Sequence, residues 1–373
     1  MNVETKIFLG RRFKEFYLRN PVPAPRRVEQ REFGFGTLDD KIKFRHKSFA
    51  SEREMQQYLQ RDTPFFVSYS AAYYEFPESR TMAGKAWQGA DLIFDLDADA
   101  PFLDERVMSD LRRQALNLLN FLTEDFGFES ENISVNFSGS KGYHLHCRDE
   151  RILKLTGDER REIVDYVTAT GLDRKHYFHE EGAPAGIVFS ATGKRDPKEQ
   201  SAIYVGPAKD STGWPGRIYR GVWDELSRSG MDEGKKRRLL DMLERGMWEG
   251  VEGFRDKSFD KIIRSYAVRL TEDTDKMVTL DTSRLIRLPM SLHGGTGLKA
   301  AVVRDLSTFR PQADAVAFGD AETSLTVTKD VQSFPMKDNS YGPLSAGENI
   351  ALPEHAAIYL MLKDCAELVK QPS

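Results

Sequence analysis

Asp95 and Asp97 are the first residues in this chain whose type and spacing suggest chemistry. They lie in the run DLIFDLDADAP, Asp91 to Pro101, where acids interrupt an apolar strand. Side chains of a strand alternate between faces, so Asp91, Ile93, Asp95 and Asp97 share one side while Leu92, Phe94 and Leu96 share the other. Two carboxylates about 5 Å apart at an effective dielectric of about 20 repel by roughly 3 kcal/mol, so something positive is expected between them. A calcium loop of the D-x-D-x-D-G type needs Gly and Glu where this chain has Ala100 and Arg106, which excludes it. A dehalogenase-type phosphatase also places D-x-D after an apolar strand, but favours Thr or Val where Asp99 stands. Solvated acids closing a strand would need no ligand. A two-metal nucleotidyl-transfer site would use the pair to hold two Mg²⁺ or Mn²⁺ ions, with a third acid supplied from elsewhere.

The run SGSKGYHLH, 138–146, adds complementary groups. It offers the Ser138 hydroxyl, backbone N–H groups made approachable by Gly139 and Gly142, the Lys141 cation, and His144 and His146 on one face of a strand. Such a set suits a triphosphate, although the Walker spacing is missing. A tight hairpin with satisfied histidines would use the same residues. A His-x-His-Cys zinc site is disfavoured, because the adjacent His146 and Cys147 point to opposite faces of a strand. The segment TLDTSRLIRLPMSLHGGTGL, 279–298, contributes Asp281 as a candidate third carboxylate and Arg287 and His293 as anion donors.

The elements that must position these residues can be read from periodicity. Leu9, Phe13, Phe16 and Tyr17 predict a helix over 5–19, stopped by Asn20-Pro21 and followed by the linker NPVPAPRR. REFGFGTLDDKIKFRHKSF predicts two strands around a Leu-Asp-Asp-Lys turn. After the acidic strand, Val107, Leu111, Ala115, Leu118, Leu119 and Leu122 predict a helix over 104–125, ending before Gly127. ISVNF and YHLHC alternate as strands around the SGSKG turn, which makes 91–147 one compact α/β unit. Residues 151–255 read as a largely helical insert, 279–298 as strand and loop, and PEHAAIYLMLKDCAELV as a terminal helix with Pro353 in its first turn. The expected domains are a discontinuous core, 1–150 and 256–373, and the insert, 151–255.

The chain has 373 residues, 40% apolar and 30% charged, with a formal net charge of −4. No apolar stretch is long enough to span a bilayer, and the N-terminus lacks a signal-peptide pattern. Cys147 and Cys365 show no paired spacing, so free thiols and a cytoplasmic location are expected. The charge is unevenly spread: residues 1–50 hold 12 Lys/Arg against 6 Asp/Glu, whereas residues 91–110 hold one Arg against seven acids. A basic arm leading to an acidic pocket fits a polyanion track ending at a metal site, though ordinary surface heterogeneity fits too.

Taken together, REFGF with KFRHKSF, GADLIFDLDAD, SGSKGYHLH and RLIRLPMSLHGGTGL resemble the small catalytic subunit of archaeal and eukaryotic DNA primase, the archaeal branch above all. The resemblance covers most of the chain. It implies an α/β (α+β) catalytic core with an RNA-recognition-motif-like mixed sheet and an inserted helical subdomain. It makes Asp95, Asp97 and Asp281 the metal-binding and catalytic carboxylates. Ser138, Lys141 and His144 would hold the nucleotide triphosphate with Arg287 and His293, and Arg45 would be a nucleotide or template contact. Asp99 and His146 receive no catalytic role, and Asp99 is assigned to a solvated exit turn. Many relatives carry a zinc knuckle between the acidic and SGSKGYHLH motifs, but residues 98–132 here contain neither Cys nor His, so no structural zinc is expected.

The activity so implied is template-directed synthesis of short primers on single-stranded DNA from nucleoside triphosphates, near the nucleoid. Two Mg²⁺ or Mn²⁺ ions would serve it, a large regulatory subunit would be its partner, and no membrane would be involved. A primase-superfamily repair polymerase is the nearest alternative. A dehalogenase-type phosphatase and a non-catalytic nucleic-acid-binding subunit are further ones.

Overall fold

The computed structural model describes residues 1–98, 102, 105–181, 203–248, 251–270 and 273–369; Asp99 lies outside them. These residues form two compact units, one of Met1–Leu116, Phe128–Val164 and Arg269–Ser373, the other of Asn117–Gly127 and Asp165–Val268. Both helices and antiparallel sheets are plentiful, so the fold is α+β. Among the described residues no helix is long and apolar enough to cross a membrane.

The first unit opens with α1 (Val3–Arg19), capped by Asn2, whose side chain accepts from Thr5 N at 2.8 Å. Leu9, Phe13, Phe16 and Tyr17 are buried along one face, as their spacing predicts, and the chain leaves the helix at Asn20 before Pro21. Next come β1 (Phe33–Gly36), β2 (Phe44–Lys47), α2 (Glu52–Asp62), β3 (Phe66–Ser70), β4 (Ala72–Tyr74), β5 (Trp87–Ala90) and β6 (Leu92–Asp97). The two strands expected around the Leu-Asp-Asp-Lys turn are β1 and β2, paired antiparallel with an irregular register. The helix expected over 104–125 is α3 (Glu105–Asn120), prolonged by a wider turn to Asp125 and ended at Gly127 with φ 65°.

The SGSKG turn joins β7 (Ile133–Phe137) to β8 (Gly142–Cys147), and α4 (Gly157–Thr168) follows. The second unit holds β9 (His179–Glu181), β10 (Ile203–Val205), α5 (Gly213–Ser227), α6 (Glu233–Glu244) and α7 (Glu252–Tyr266). It has its own apolar centre around Trp248, Tyr219, Val222, Leu243 and Ile262. Within it, Arg217 pairs with buried Asp125 at 2.7 Å, and the Tyr166 hydroxyl donates to the same carboxylate at 2.9 Å.

The chain then returns to the first unit with α8 (Asp273–Leu280), β11 (Leu285–Arg287), β12 (Val302–Val303), α9 (Pro311–Asp314), β13 (Glu322–Val327), β14 (Phe334–Met336), β15 (Asn339–Tyr341), β16 (Asn349–Pro353), α10 (Glu354–Leu362) and β17 (Ala366–Leu368). The terminal helix is shorter than its sequence suggests. Asp364 adopts φ 55°, which breaks the helix, and the next residues pair with β13 instead. Strand pairing satisfies the backbone of a segment whose composition alone is compatible with helix. This end is tied to the start of the chain: Leu368 N donates to Thr5 Oγ1 at 2.9 Å, Asn2 Nδ2 to Leu368 O at 3.3 Å, and the Met1 ammonium meets Glu367 at 3.0 Å.

Two four-stranded sheets position the chemistry, in the orders β11-β3-β1-β2 and β12-β7-β8-β6. In the second, β8 lies antiparallel between β6 and β7, so α3 connects two parallel strands that have a third between them. Ile93 on β6 shares a core with Phe33 and Phe35 of β1, Val67 and Tyr69 of β3, and Ile286 of β11. Burial of this face fixes the register of β6 and hence where its acids emerge, because a one-residue slip would put them on the other side.

The start of β6 is anchored by Asp91, whose carboxylate is completely buried. Arg31 Nη2 donates to Asp91 Oδ2 at 2.7 Å, and the Tyr73 hydroxyl donates to Oδ1 at 2.7 Å. Arg31 also donates to Ser70 O and Ala71 O at 2.8 and 2.7 Å and lies 3.5 Å from the Tyr73 ring centroid. Arg160 donates to Asp91 O and Ala90 O at 2.9 and 2.8 Å. Of the acids on this face of the run, Asp91 is therefore structural.

Candidate functional site

Asp95 and Asp97 stand at the far end of β6, opposite His144 and Gly142 of β8. Both are half-buried, in contrast to Leu92, Phe94 and Leu96, which are fully buried. His144 Nε2 lies 3.4 Å from Asp95 Oδ1. Burial raises the pKa of the Asp97 carboxyl, and the Asp95 charge raises it further, with Lys141 and His144 opposing. The repulsion inferred from spacing is thus present in the fold. Burial, with the nearby Arg287 charge, lowers His144 to about 4, so it is a neutral imidazole at ordinary pH.

Gly142 allows β8 to come this close. A Cβ there would sit 2.4 Å from Leu96 O and 2.9 Å from Asp97 Oδ1, too near for any side chain. The hairpin before it is organised by Ser138, whose Oγ accepts from Ser140 N and Gly142 N at 3.3 and 3.1 Å. Its N–H donates to Gly142 O at 2.9 Å, and Gly139 takes φ 82°. Ser138 therefore shapes the loop that presents Lys141.

The hairpin docks on the loop carrying His293. Thr296 Oγ1 donates to Gly139 O, and a Cβ on Gly139 would fall 2.8 Å from His293 Cβ. Gly295 N donates to His293 Nδ1 at 3.2 Å, which leaves the proton of the neutral ring on Nε2, available as a donor. Burial first, then Arg287, Lys41, Lys363 and His144, hold the His293 pKa well below the usual histidine value. Arg287 lies 5.0 Å over the Phe66 ring and donates to Val67 O at 3.4 Å. Burial lowers its pKa to about 10, so it stays cationic. Phe66 also meets His293 edge-on at 5.3 Å.

The sequence-derived candidates thus separate. Asp95, Asp97, Ser138, Lys141, His144, Arg287 and His293 are held by β6, the β7–β8 hairpin and the segment from β11 to the following loop. Asp281 is held differently. Its Oδ1 accepts from Ser283 N and Oγ at 2.9 and 2.6 Å, closing a turn after α8. Its segment joins the chain near the start of β6, where Ala71 N donates to Arg284 O and Ala71 O accepts from Asp91 N. Among the described residues, no group of three or more His, Cys, Asp or Glu side chains could hold a metal ion.

Arg45 reaches buried Glu32 at 3.1 Å, beside Lys85, which also bonds that carboxylate. Burial raises the Glu32 pKa, but Lys85 and Arg45 more than offset this, and it is lowered overall. Two cations escaped notice in the sequence, Lys41 in the β1–β2 turn and Lys363 after α10, both close enough for their charges to act on His293. Neither lies in a motif, so nothing local sets them apart from surface lysines.

His146 lies opposite Ile93, is fully buried, and has Nδ1 3.3 Å from the Tyr69 hydroxyl. Burial, then Arg148, His144 and Arg31, keep its pKa well below the ordinary histidine value of about 6.5. The unfolded chain binds more protons below that value, so the contribution is complete above about pH 6.5 and is lost as pH falls. The midpoint of urea unfolding should drop between pH 7 and pH 5, and His146→Gln should reduce that drop. An equal drop in the variant would show that His146 is not responsible.

A family model described as DNA primase small subunit matches residues 94–306, from the residue before Asp95 to beyond the His293 loop. Similar proteins include the DNA primase small subunit PriS of Methanothrix thermoacetophila, 35% identical with 99% of this chain and 100% of that protein covered. That of Archaeoglobus fulgidus is 33% identical, with 96% and 97% covered. That of Haloarcula marismortui is 32% identical over the whole of both chains.

Proposed function

The chain belongs to the DNA primase small-subunit family, and from that premise we propose that it makes short primers on single-stranded DNA by template-directed nucleotidyl transfer during replication. The observation that carries the proposal is the opposition of two charges across one site. Asp95 and Asp97 emerge together from β6 beside the hairpin that carries Lys141, which docks on the loop of His293, and the charge of Arg287 at the end of β11 reaches His144 opposite Asp95.

Two divalent ions, Mg²⁺ or Mn²⁺, would be held by Asp95 and Asp97. The donors fit: these are hard carboxylate oxygens, the partly buried pair repels itself without a cation, and the facing histidine is neutral. When bound, such ions neutralise triphosphate charge and make a 3′-hydroxyl a better nucleophile. Asp281 joins the pair as a third carboxylate on family resemblance alone. Lys141, Arg287 and the Nε2 proton of His293 bind phosphate oxygens, while Ser138 and Gly142 keep the hairpin close. His144 fixes Asp95 and adds no charge of its own at neutral pH. Arg45 and the basic N-terminal region would follow template phosphates. A larger regulatory subunit is the proposed partner, and chromosomal DNA in the cytoplasm the proposed place of action.

Synthesis on unprimed single-stranded DNA with nucleoside triphosphates and Mn²⁺ or Mg²⁺ tests this directly. De novo products are expected with the full chain, alone or with the large subunit. Extension of a supplied primer with no initiation under either condition would overturn the assignment in favour of a repair polymerase.

A further inference from the structure

The last turn of α10 packs on the loop that carries His293. A Cβ on Gly297 would lie 2.8 Å from Ile358 and 3.3 Å from Leu362 Cδ1, so loop and helix end are in direct contact. Lys363 follows immediately, and its ammonium lies 5.6 Å from the Tyr359 ring centroid and 6.0 Å from that of Phe102. Phe102 itself stacks near Tyr359 and Phe334, 6.2 and 6.1 Å away, and is five residues beyond Asp97. Lys363 thus follows a helix end that packs on the His293 loop, and its ammonium lies near Phe102.

From this placement we propose that Lys363 binds the polyphosphate tail of the incoming nucleotide, sharing it with Lys141. The inference rests on the nucleotidyl-transfer reading above and extends it to a residue outside every motif. Burial lowers the Lys363 pKa, and the Lys141 charge lowers it further, against Asp97. The charges of Lys363 and Arg287 both act on His293, and that of Lys141 acts on Lys363. A group of cations at one place attracts a polyanion, and a triphosphate is one. A lysine at a helix C-terminus can also serve the helix alone, since a cation there offsets the carbonyl dipoles.

The discriminating measurement compares Lys363→Met, Lys363→Arg and Lys141→Met in the full chain. Affinity for a nucleoside triphosphate and for its monophosphate is measured by calorimetry with template and Mg²⁺, alongside KM, kcat and thermal midpoint. Lys363→Met should weaken triphosphate binding about tenfold and raise KM similarly, with monophosphate binding and kcat little changed. Lys363→Arg should restore most of the loss. If Lys141→Met weakens triphosphate binding while Lys363→Met does not, the Lys363 proposal falls and the site reading stands. A Lys363→Met protein with a lower thermal midpoint but unchanged KM would show a helix-capping role only. If the parent binds triphosphate no more tightly than monophosphate, both readings fall.

Discussion

Asp95→Asn and Asp97→Asn should each reduce primer synthesis at least about a hundredfold, because each removes charge from the transition-state environment without changing side-chain shape. The same variants should be as stable as the parent in metal-free buffer, or more so. Burial and the Asp95 charge already raise the Asp97 pKa, so the ionised pair disfavours the metal-free fold, and an amide removes that cost. Primer yield on an unprimed template and urea midpoints in a chelator give the two readings. Undiminished synthesis in both variants would end the metal assignment. Lost synthesis with a lowered midpoint would mean that the acids support the fold and that the activity loss is indirect.

The opposite outcome is expected at Asp91, four residues before Asp95. Asp91→Ala should destabilise the protein by about 3–5 kcal/mol, because Arg31 would be left buried without its counter-charge. The double variant Arg31→Met with Asp91→Leu should recover much of the loss, since apolar residues of similar size carry no desolvation penalty. Urea unfolding followed by circular dichroism measures both. A loss below about 1 kcal/mol for Asp91→Ala would show that the pair is not fully desolvated in solution. Acids only four residues apart are thus expected to respond in opposite ways, Asp91→Ala by losing stability and Asp95→Asn by losing synthesis.

The difference between these acids was only partly legible in the sequence. Alternation put Asp91, Ile93, Asp95 and Asp97 on one face, and Ile93 does lie in the core. Nothing local announced Arg31, which is 60 residues from Asp91 and meets it only through the tertiary fold. The helix α1 and the hairpin around SGSKG were readable because apolar periodicity and glycine act locally. The strands from β13 to β17 went unread, since their segments are short, mixed in polarity and defined by partners far along the chain. The expected helix through CAELV failed for the same reason. Lys363 lies in that misread segment, and the contacts around it, of Leu362 with Gly297 and of its own ammonium with Phe102, are made with residues far away in sequence.

The bonds from Leu368 to Thr5 and from Met1 to Glu367 hold β17 against the first turn of α1. A covalent crosslink between those two segments would close a loop of more than 350 residues with little change to the folded backbone. Such closure removes freedom from the unfolded ensemble alone, so the crosslinked molecule gains stability without a further native contact.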